Sequence, residues 1–503
     1  MSNFWGTFQK YCLELLDEKT VSVILNDEIK TNKQFDIIFP EISLLHLIKL
    51  CLKYCDRSGY SKDDYFPPTI LNKVGKCLLI TNDVMHDWQS RGSQNSSENN
   101  GEPTSELLVN FTKQIIADKR FDIFQKLYQT LFLFKGVTNQ YKNDLDLDCV
   151  FITRYGVNVD EYFAFLFLLY AQFIIKNNDT EDSECPHFNL DIALRNVKPK
   201  FKEFLLKNLI LEKDKYKKID LSFYNVFELT RKPLVEIRDK NIIPISLRRL
   251  FSGLTEGVYF EVLDGIKDKE NKKIFSTYFG YSIEDYFKDI IYNINNKVIF
   301  SFKYGKPEIE TPDAILVEGD NAIFFECKKR QFHTLEFLTN GNTEMYFERI
   351  NEFCFKPLDQ ICKRVSDFRN KKFSLPDINN NCMIYPIIVS PEAPPLFSGA
   401  WDMFKINDRI LPGYYKEDNK IALPEFIDFA ELEVIEAFIK ENPNQSIVDL
   451  IKKKRASINY PHANWSVFLY NEGIQKINKR LREKYQLEIG RYKSILFENN
   501  KDI

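Results

Sequence analysis

The chain has 503 residues and a formal net charge of only −3. That length suits two or three domains with an ample core. The near-neutral charge excludes a uniformly basic nucleic-acid-binding protein, so any such contact has to come from local patches. Hydrophobic residues make up 44% of the chain and aromatic residues 14%, which is typical of a globular protein rather than a disordered one.

Neither the start of the chain nor its longest apolar run predicts secretion or membrane insertion. Met1 to Trp5 lead into a mixed amphipathic segment rather than a signal peptide. The run from Tyr162 to Ile175 is too short to span a bilayer and indicates a buried helix. The ten cysteines include no Cys-x-x-Cys pair, which favours thiols in a reducing compartment. We therefore expect a cytoplasmic protein with no membrane partner.

The first half of the chain is predicted to be mostly helical. Dense apolar faces at helical spacing occur in three segments, 43–54, 121–134 and 159–176. Residues 232–245 are predicted to form a small hairpin, and the polar stretches 90–105 and 177–186 to form loops. We expect residues 1–252 to be a mainly helical domain for sensing, positioning or oligomerisation. A homo-oligomer or a partner protein would then bind through this domain.

A second hairpin is predicted around Gly319-Asp320. Apolar runs flank this dipeptide, and glycine supplies the positive φ that a tight hairpin turn requires. Counting outward from the turn sets Asp313 opposite Glu326, and side-chain alternation places Lys328 on the same face. Sliding the turn by one residue along the chain pairs Asp313 with Lys328 instead, and the three groups still share a face.

These three side chains suit metal-assisted phosphodiester hydrolysis. Two carboxylates that face each other at about 5 Å repel unless a cation lies between them. Mg²⁺ takes oxygen ligands, commonly one or two carboxylates together with water and substrate phosphate. A lysine two residues after the second acid can activate water or hold a phosphate oxygen. Asp313, Glu326 and Lys328 are therefore the candidate catalytic residues.

A helix is predicted over 276–295, directly before the next strand. Its apolar stripe consists of Phe279, Ile283, Phe287, Ile290 and Ile291. Glu284 falls on the apolar side, where a carboxylate is costly unless it points into a site. The alternative is a glutamate in the first helical turn, where the helix dipole favours it.

The predicted elements then follow the order helix, three strands, helix and strand. The strands are expected at 297–304, 313–317, 322–328 and 383–390, and the second helix at 357–368. Pro312-Asp313 precedes one strand, and Glu326-x-Lys328 ends the next. This pattern resembles the PD-(D/E)XK nucleases, which have the restriction-endonuclease-like fold, over residues 276–392.

The resemblance implies an α/β nuclease core with the order αβββαβ, at residues 253–400 of a mainly α-helical multidomain chain. It implies that Glu284, Asp313 and Glu326 bind Mg²⁺, for which Mn²⁺ can substitute. Gln360 matches an auxiliary glutamine of some family members, or is a solvated helix residue. The implied activity is hydrolysis of phosphodiester bonds in nucleic acid, DNA rather than RNA, in prokaryotic anti-phage defence or mobile-element biology.

Residues 401–503 are predicted to be a helical extension, with helices at 424–441, 446–455 and 466–485. These helices carry a set of basic residues, namely Lys452, Lys453, Lys454, Arg455, Lys479, Arg480 and Arg482. One interpretation is a solvated helix surface. The other is a stripe that binds backbone phosphates beside the nuclease core.

Two other interpretations of the whole chain stay open on the sequence alone. In the first, a catalytically silent nucleic-acid-binding or scaffold protein keeps the fold without cleaving. In the second, the motif is accidental in an all-helical interaction protein, which a mixed sheet over 297–390 would exclude. The sequence distinguishes neither DNA from RNA substrates nor internal from terminal cleavage.

Overall fold

The computed structural model describes residues 41–54, 123–140, 145–175, 188–221, 227–236, 240–329, 343–392, 420–457, 464–474 and 477–496. This part of the chain is mainly helical and contains a five-stranded mixed sheet. It divides into two compact units. One unit comprises the first helix, the described residues of Leu209–Leu250 and Thr343, and the other comprises the described residues of Phe121–Asn208, Phe251–Phe337 and Glu344–Ile503. The predicted loops at 90–105 and 177–186 lie outside the described residues.

The α-helices are α1 Glu41–Tyr54, α2 Ile123–Gln140, α3 Leu147–Tyr155, α4 Val159–Tyr170, α5 Leu190–Ala193, α6 Pro199–Phe204, α7 Phe227–Arg231, α8 Leu247–Gly265, α9 Lys269–Ile294, α10 Thr343–Ile350, α11 Lys356–Arg369, α12 Phe429–Glu441, α13 Ile447–Ala456, α14 Trp465–Asn471 and α15 Lys479–Leu496. Of these helices, none is both long and apolar enough to cross a membrane.

The strands are β1 Phe188–Asn189, β2 Leu234–Glu236, β3 Asn241–Pro244, β4 Ile299–Phe300, β5 Lys303–Tyr304, β6 Ile309–Glu310, β7 Ala314–Glu318, β8 Asn321–Cys327, β9 Met383–Ser390 and β10 Glu425–Asp428. The five-stranded sheet has the order β10-β9-β8-β7-β4. Its β7–β8 and β4–β7 pairs are antiparallel, whereas β8–β9 and β9–β10 are parallel. This mixed sheet excludes the all-helical interpretation.

The smaller unit has its own core around α1. Leu45 of that helix is buried together with Leu211, Tyr216, Leu229 and other apolar side chains. Strands β2 and β3 form an antiparallel hairpin in which Val235 pairs with Ile243. The helix predicted over 43–54 and the hairpin predicted over 232–245 are both confirmed.

Helix α9 is the long helix that precedes the sheet. It begins earlier than predicted because the Asp268 carboxylate accepts a hydrogen bond from the Asn271 N–H at 2.8 Å and caps the first turn. All five residues of its predicted apolar stripe are buried. The periodicity therefore identified the buried face of α9 correctly.

Strands β7 and β8 form the predicted hairpin around Gly319-Asp320. Glu318 pairs with Asn321 beside the turn, and Gly319 adopts a φ of 59°. That backbone conformation favours glycine, because a side chain at positive φ is strained. The turn fixes the register of the whole hairpin, so every later pair follows from it.

Strand β8 is covered by helices on both faces. Phe324 and Phe325 are buried and point to opposite faces, because side chains alternate along a strand. The Phe325 ring lies 5.9 Å from that of Phe287 on α9, and the Phe324 ring lies 6.0 Å from that of Phe368 on α11. The end of β8 is therefore flanked by α9 on one side and α11 on the other.

The first predicted strand of this region is interrupted. Residues 297–304 form β4, which pairs with β7, and β5, which pairs with β6. The Phe302 N–H donates to the Thr311 hydroxyl at 3.0 Å instead of to a strand carbonyl. A side chain therefore replaces one bond of the ladder, and the strand breaks there.

Two helix predictions in the C-terminal region are wrong in part. Residues 425–428 form β10, in which Glu425 pairs with Ile387 of β9, and the helix begins only after Asp428. The Asp428 carboxylate accepts from the Glu431 N–H at 2.8 Å and caps α12. The helix predicted over 466–485 is divided into α14 and α15, with Gly473 between them at a φ of 67°.

Helix α12 carries a buried carboxylate that joins three helices. Glu433 is 1% exposed and accepts hydrogen bonds from Tyr286 of α9 at 2.5 Å, and from Gln125 and Gln129 of α2 at 2.5 and 2.7 Å. All three donors are neutral. Burial raises the pKa of Glu433 to about 7.

We expect Glu433→Gln to change how stability depends on pH. Between the usual value of 4.5 and about 7, the folded protein keeps a proton on Glu433 that the unfolded chain has released. Wild-type stability therefore falls as pH rises through this window, by up to about 3 kcal/mol, and the variant lacks that contribution.

Denaturant unfolding of both proteins at pH 5 and pH 8 measures the effect, with exposed Glu270→Gln as the control. The unfolding free energy of Glu433→Gln relative to the wild type should be higher at pH 8 than at pH 5. The same difference at both pH values would contradict the raised pKa of Glu433.

Candidate functional site

Two carboxylates face each other where the β7–β8 hairpin opens. Ala314 pairs with Phe325, so the next position outward sets Asp313 opposite Glu326. Directly opposed residues in an antiparallel pair point to the same face. The predicted register of the hairpin is confirmed, and its extension by one position sets the two acids on one face.

The two acids are half-buried, and the charge of Asp313 acts on Glu326. Burial, followed by the Asp313 charge, raises the pKa of Glu326 to about 7. Burial also raises the pKa of Asp313, although the Cys327 N–H opposes this by donating to its Oδ2 at 2.7 Å. A pair of partly desolvated, mutually repelling carboxylates is the electrostatic arrangement that a nearby cation relieves.

Lys328 lies between Glu326 and helix α11. Its ammonium donates to Glu326 Oε1 at 3.3 Å and to Gln360 Oε1 at 3.0 Å. The Lys328 N–H also donates to the Val389 carbonyl at 2.7 Å, which continues the β8–β9 ladder. The structure thus brings Lys328 to both Glu326 and Gln360. Gln360, which the sequence left open between an auxiliary role and a solvated helix residue, is an exposed helix residue that contacts Lys328.

Glu284 reaches the same region from helix α9, but it is paired with lysines. Its carboxylate accepts from Lys288 at 2.8 Å and forms an ion pair with Lys329. Burial acts to raise the pKa of Glu284, but the two ammonium groups outweigh burial and hold it below the usual range. Glu284 also contributes to the raised pKa of Asp313. Its role as a metal ligand stays a prediction.

Two cations of the site were missed by the sequence analysis. Lys329 joins Glu284 and acts electrostatically on Asp313. Arg364 acts on Glu326 and donates to the Glu310 carbonyl. Arg364 is four residues after Gln360 on α11, and this spacing, which places both on one helix face, was the available signal.

The carboxylate pair fits a hard divalent cation. Within the described residues, Asp313 Oδ1 and Glu326 Oε2 make no hydrogen bond, so each acid keeps an oxygen for a ligand. Mg²⁺ is commonly held by one or two carboxylates, with water and phosphate completing its shell. In this part of the chain, no group of three or more His, Cys, Asp or Glu side chains has the arrangement of a metal site. The described residues therefore do not bring Glu284, Asp313 and Glu326 together as the three-carboxylate set that the sequence predicted, and cation binding by Asp313 and Glu326 stays a prediction.

On α13, part of the predicted basic stripe is engaged inside the protein. Lys454 is buried and donates to Glu425 Oε2 at 3.0 Å, and Arg455 donates to Glu425 Oε1 at 2.6 Å. The expectation that Lys454 offers its charge to a phosphate is therefore wrong, because its ammonium is enclosed with a carboxylate. Lys453 pairs with Glu472 at 2.5 Å, and Lys452 is exposed.

On α15, the central arginine of the stripe is also a structural cation. Arg480 donates to Glu436 at 2.6 Å and to Asp289 of α9 at 2.5 Å. Lys479 is exposed and lies 3.1 Å from Glu441, and Arg482 is exposed. The stripe is therefore not a continuous phosphate-binding surface, and only its exposed members keep that prediction.

We expect Arg480→Ala to destabilise the fold by about 3 kcal/mol, because it leaves the buried Glu436 carboxylate without its cation. Arg482→Ala, two residues away on the exposed side of the same helix, is the matched control and should change stability by less than about 0.5 kcal/mol. Urea unfolding of both variants tests this. Equal stability of the two variants would show that Arg480 is surface charge only.

Comparison with known proteins returns no relative for this chain. No family model matches it, and no curated protein or solved structure matches it. The chemistry of the Asp313–Glu326 site is therefore the basis for inferring what the protein does.

Proposed function

We propose that the protein is a metal-dependent nuclease of the PD-(D/E)XK type that hydrolyses phosphodiester bonds. One observation carries the proposal. Asp313 and Glu326 face each other at the mouth of the hairpin, each with an oxygen left for a cation, and the Lys328 ammonium lies beside them. A carboxylate pair with an adjacent cation suits an anionic substrate that binds together with a divalent metal.

The order of elements supports the proposal. Helix α9, strands β4, β7 and β8, helix α11 and strand β9 come in the αβββαβ order that the resemblance implies, with β5 and β6 inserted after β4 and α10 inserted after β8. The acids and Lys328 lie at the end of β8, between the two helices that cover the sheet. Placing a charged cluster at the end of a strand buried on both faces is costly unless the charges are used.

Each residue has a definable role in this proposal. Asp313 and Glu326 would hold Mg²⁺ or Mn²⁺. When bound, the ion would polarise the phosphoryl group and lower the pKa of water. Lys328, oriented by Glu326 and Gln360, would stabilise the negative charge that develops on the phosphate. Arg364 would add a second positive group on the α11 side.

The biological setting comes from the resemblance alone. Nucleases of this superfamily act in restriction, repair, recombination, transposition and anti-phage defence. A helical N-terminal region joined to such a core suits a prokaryotic defence or mobile-element nuclease, with DNA as the substrate. In that setting the N-terminal region would sense or position the target.

A catalytically silent nucleic-acid-binding protein is the second candidate. Lys328, Lys329 and Arg364 surround the carboxylates, and such cations can hold a phosphate without cleaving it. Retention of both acids and Lys328 favours the enzyme, because a binding protein needs the cations but not the facing carboxylates.

We expect Asp313→Asn and Glu326→Gln each to weaken Mn²⁺ binding by roughly tenfold or more, because each removes a charged ligand oxygen. Calorimetry without nucleic acid measures this directly, and exposed Glu308→Gln is the control. Glu284→Gln should have a smaller effect, because the lysines already neutralise Glu284. A loss in Glu284→Gln equal to that in Asp313→Asn would instead make Glu284 a ligand, as the sequence predicted.

We expect Lys328→Ala to reduce Mg²⁺-dependent cleavage by about 10²–10³, the usual effect of removing one electrostatic catalytic group. The variant should remain folded and should still bind nucleic acid. Exposed Lys303→Ala is the control for loss of a positive charge. The assay compares single- and double-stranded DNA and RNA. Absence of wild-type cleavage under every metal and substrate condition would favour the silent binding protein.

A further inference from the structure

An exposed aromatic ring borders the carboxylate site on its α9 side. Tyr281 is 43% exposed and lies three residues before Glu284, which places the two close together on the same helix. The Lys329 ammonium, which is paired with Glu284, lies 5.7 Å from the centre of the Tyr281 ring. Lys329 therefore interacts with both groups: its charge acts on Asp313, and its ammonium lies near the Tyr281 ring.

The local sequence holds this ring and cation together. A Cβ added at Gly280 would lie 3.4 Å from Lys329 Cβ, which shows that Lys329 packs against this turn of α9. Glu284 then fixes the ammonium, and its charge raises the pKa of Lys329 against the effect of burial. The Tyr278 ring lies 6.2 Å from that of Tyr281 and supports it from the preceding turn.

A ring next to a fixed cation at a phosphodiester site suits a nucleotide base. Base–aromatic stacking is worth roughly 1–3 kcal/mol and tolerates any base, because every base has a π face. Inside a duplex, neighbouring base pairs cover both faces of each base. Only an unpaired base, in a single strand or in a locally opened one, can lie on Tyr281.

We propose that Tyr281 is a stacking platform for an unpaired base of the strand whose phosphate enters the Asp313–Glu326 site. This inference rests on the proposed nuclease function and specifies its substrate as single-stranded or locally unpaired nucleic acid. Lys329 lies next to the Tyr281 ring and is paired with Glu284 at the site. The base that stacks on Tyr281 is the one next to the bound phosphate.

The test uses the full chain with Ca²⁺ in place of Mg²⁺, so that binding is measured with little cutting. The probe is a fluorescent single-stranded oligonucleotide, prepared as DNA and as RNA of the same sequence. Comparing the two affinities shows whether the stacked base belongs to DNA or to RNA. A relaxed, covalently closed circular duplex is the paired competitor, because it has no terminal base with an open face. The variants are Tyr281→Ala, Tyr281→Trp and Tyr292→Ala.

Tyr292 provides a matched control. It is 54% exposed on the same helix, and eleven residues of α-helix place it about 16 Å further along the axis on nearly the same side. Tyr281→Ala should weaken single-strand binding roughly 5- to 150-fold, which is the stacking energy expressed as a ratio of affinities. Duplex binding should change little, Tyr281→Trp should restore single-strand binding, and Tyr292→Ala should match the wild type.

Equal loss of single-strand and duplex binding in Tyr281→Ala would overturn the platform, as would unchanged single-strand binding or an equal loss in Tyr292→Ala. These outcomes are distinct from failure of the nuclease proposal. Wild-type cleavage that depends on Lys328, together with normal single-strand binding by Tyr281→Ala, would remove the platform alone. A wild type that binds neither probe would remove both.

Discussion

The repulsion between Asp313 and Glu326 is the constraint on which the rest of the site depends. The Gly319-Asp320 turn fixes a register that sets these acids opposite each other, and burial denies them the water that would screen their charges. Such a pair is tolerated only where protons, positive side chains or a metal ion compensate it. The surrounding cations are therefore part of one electrostatic system.

Strand alternation divides those cations between the two helices that cover the sheet. Lys328 extends to Gln360 on α11, whereas Lys329, the next residue, extends to Glu284 on α9. The adjacent residues Lys328 and Lys329 therefore connect the open end of the β7–β8 hairpin to α11 and α9, respectively. A slip of β7 by one residue against β8 would turn Asp313 to the opposite face from Glu326 and separate the two acids.

Local patterns in the sequence predicted the hairpin, the buried face of α9 and the facing acids. Each depends on a short-range rule, namely turn chemistry, helical periodicity or strand alternation. Long-range packing was not accessible in the same way. Glu284 pairs with Lys329 only once α9 lies against the end of β8, and residues 425–428 become a strand only because β9 is available beside them.

The basic helices illustrate the same limit. A sequence shows that Lys454 and Arg480 are positively charged but not that Glu425 and Glu436 are buried next to them. Charge clusters on predicted helices are therefore ambiguous until the partners across the fold are known. In this chain, two of the positions that looked available for phosphate stabilise the fold instead.

The most direct test of the central claim is to locate a bound cation. Crystals grown with Mn²⁺ should show an anomalous scattering peak between Asp313 Oδ1 and Glu326 Oε2, with Lys328 still beside Gln360. That result would identify the carboxylate pair as a metal centre independently of any activity assay. A peak elsewhere in the chain, or no peak while Asp313 and Glu326 keep their arrangement, would contradict the account.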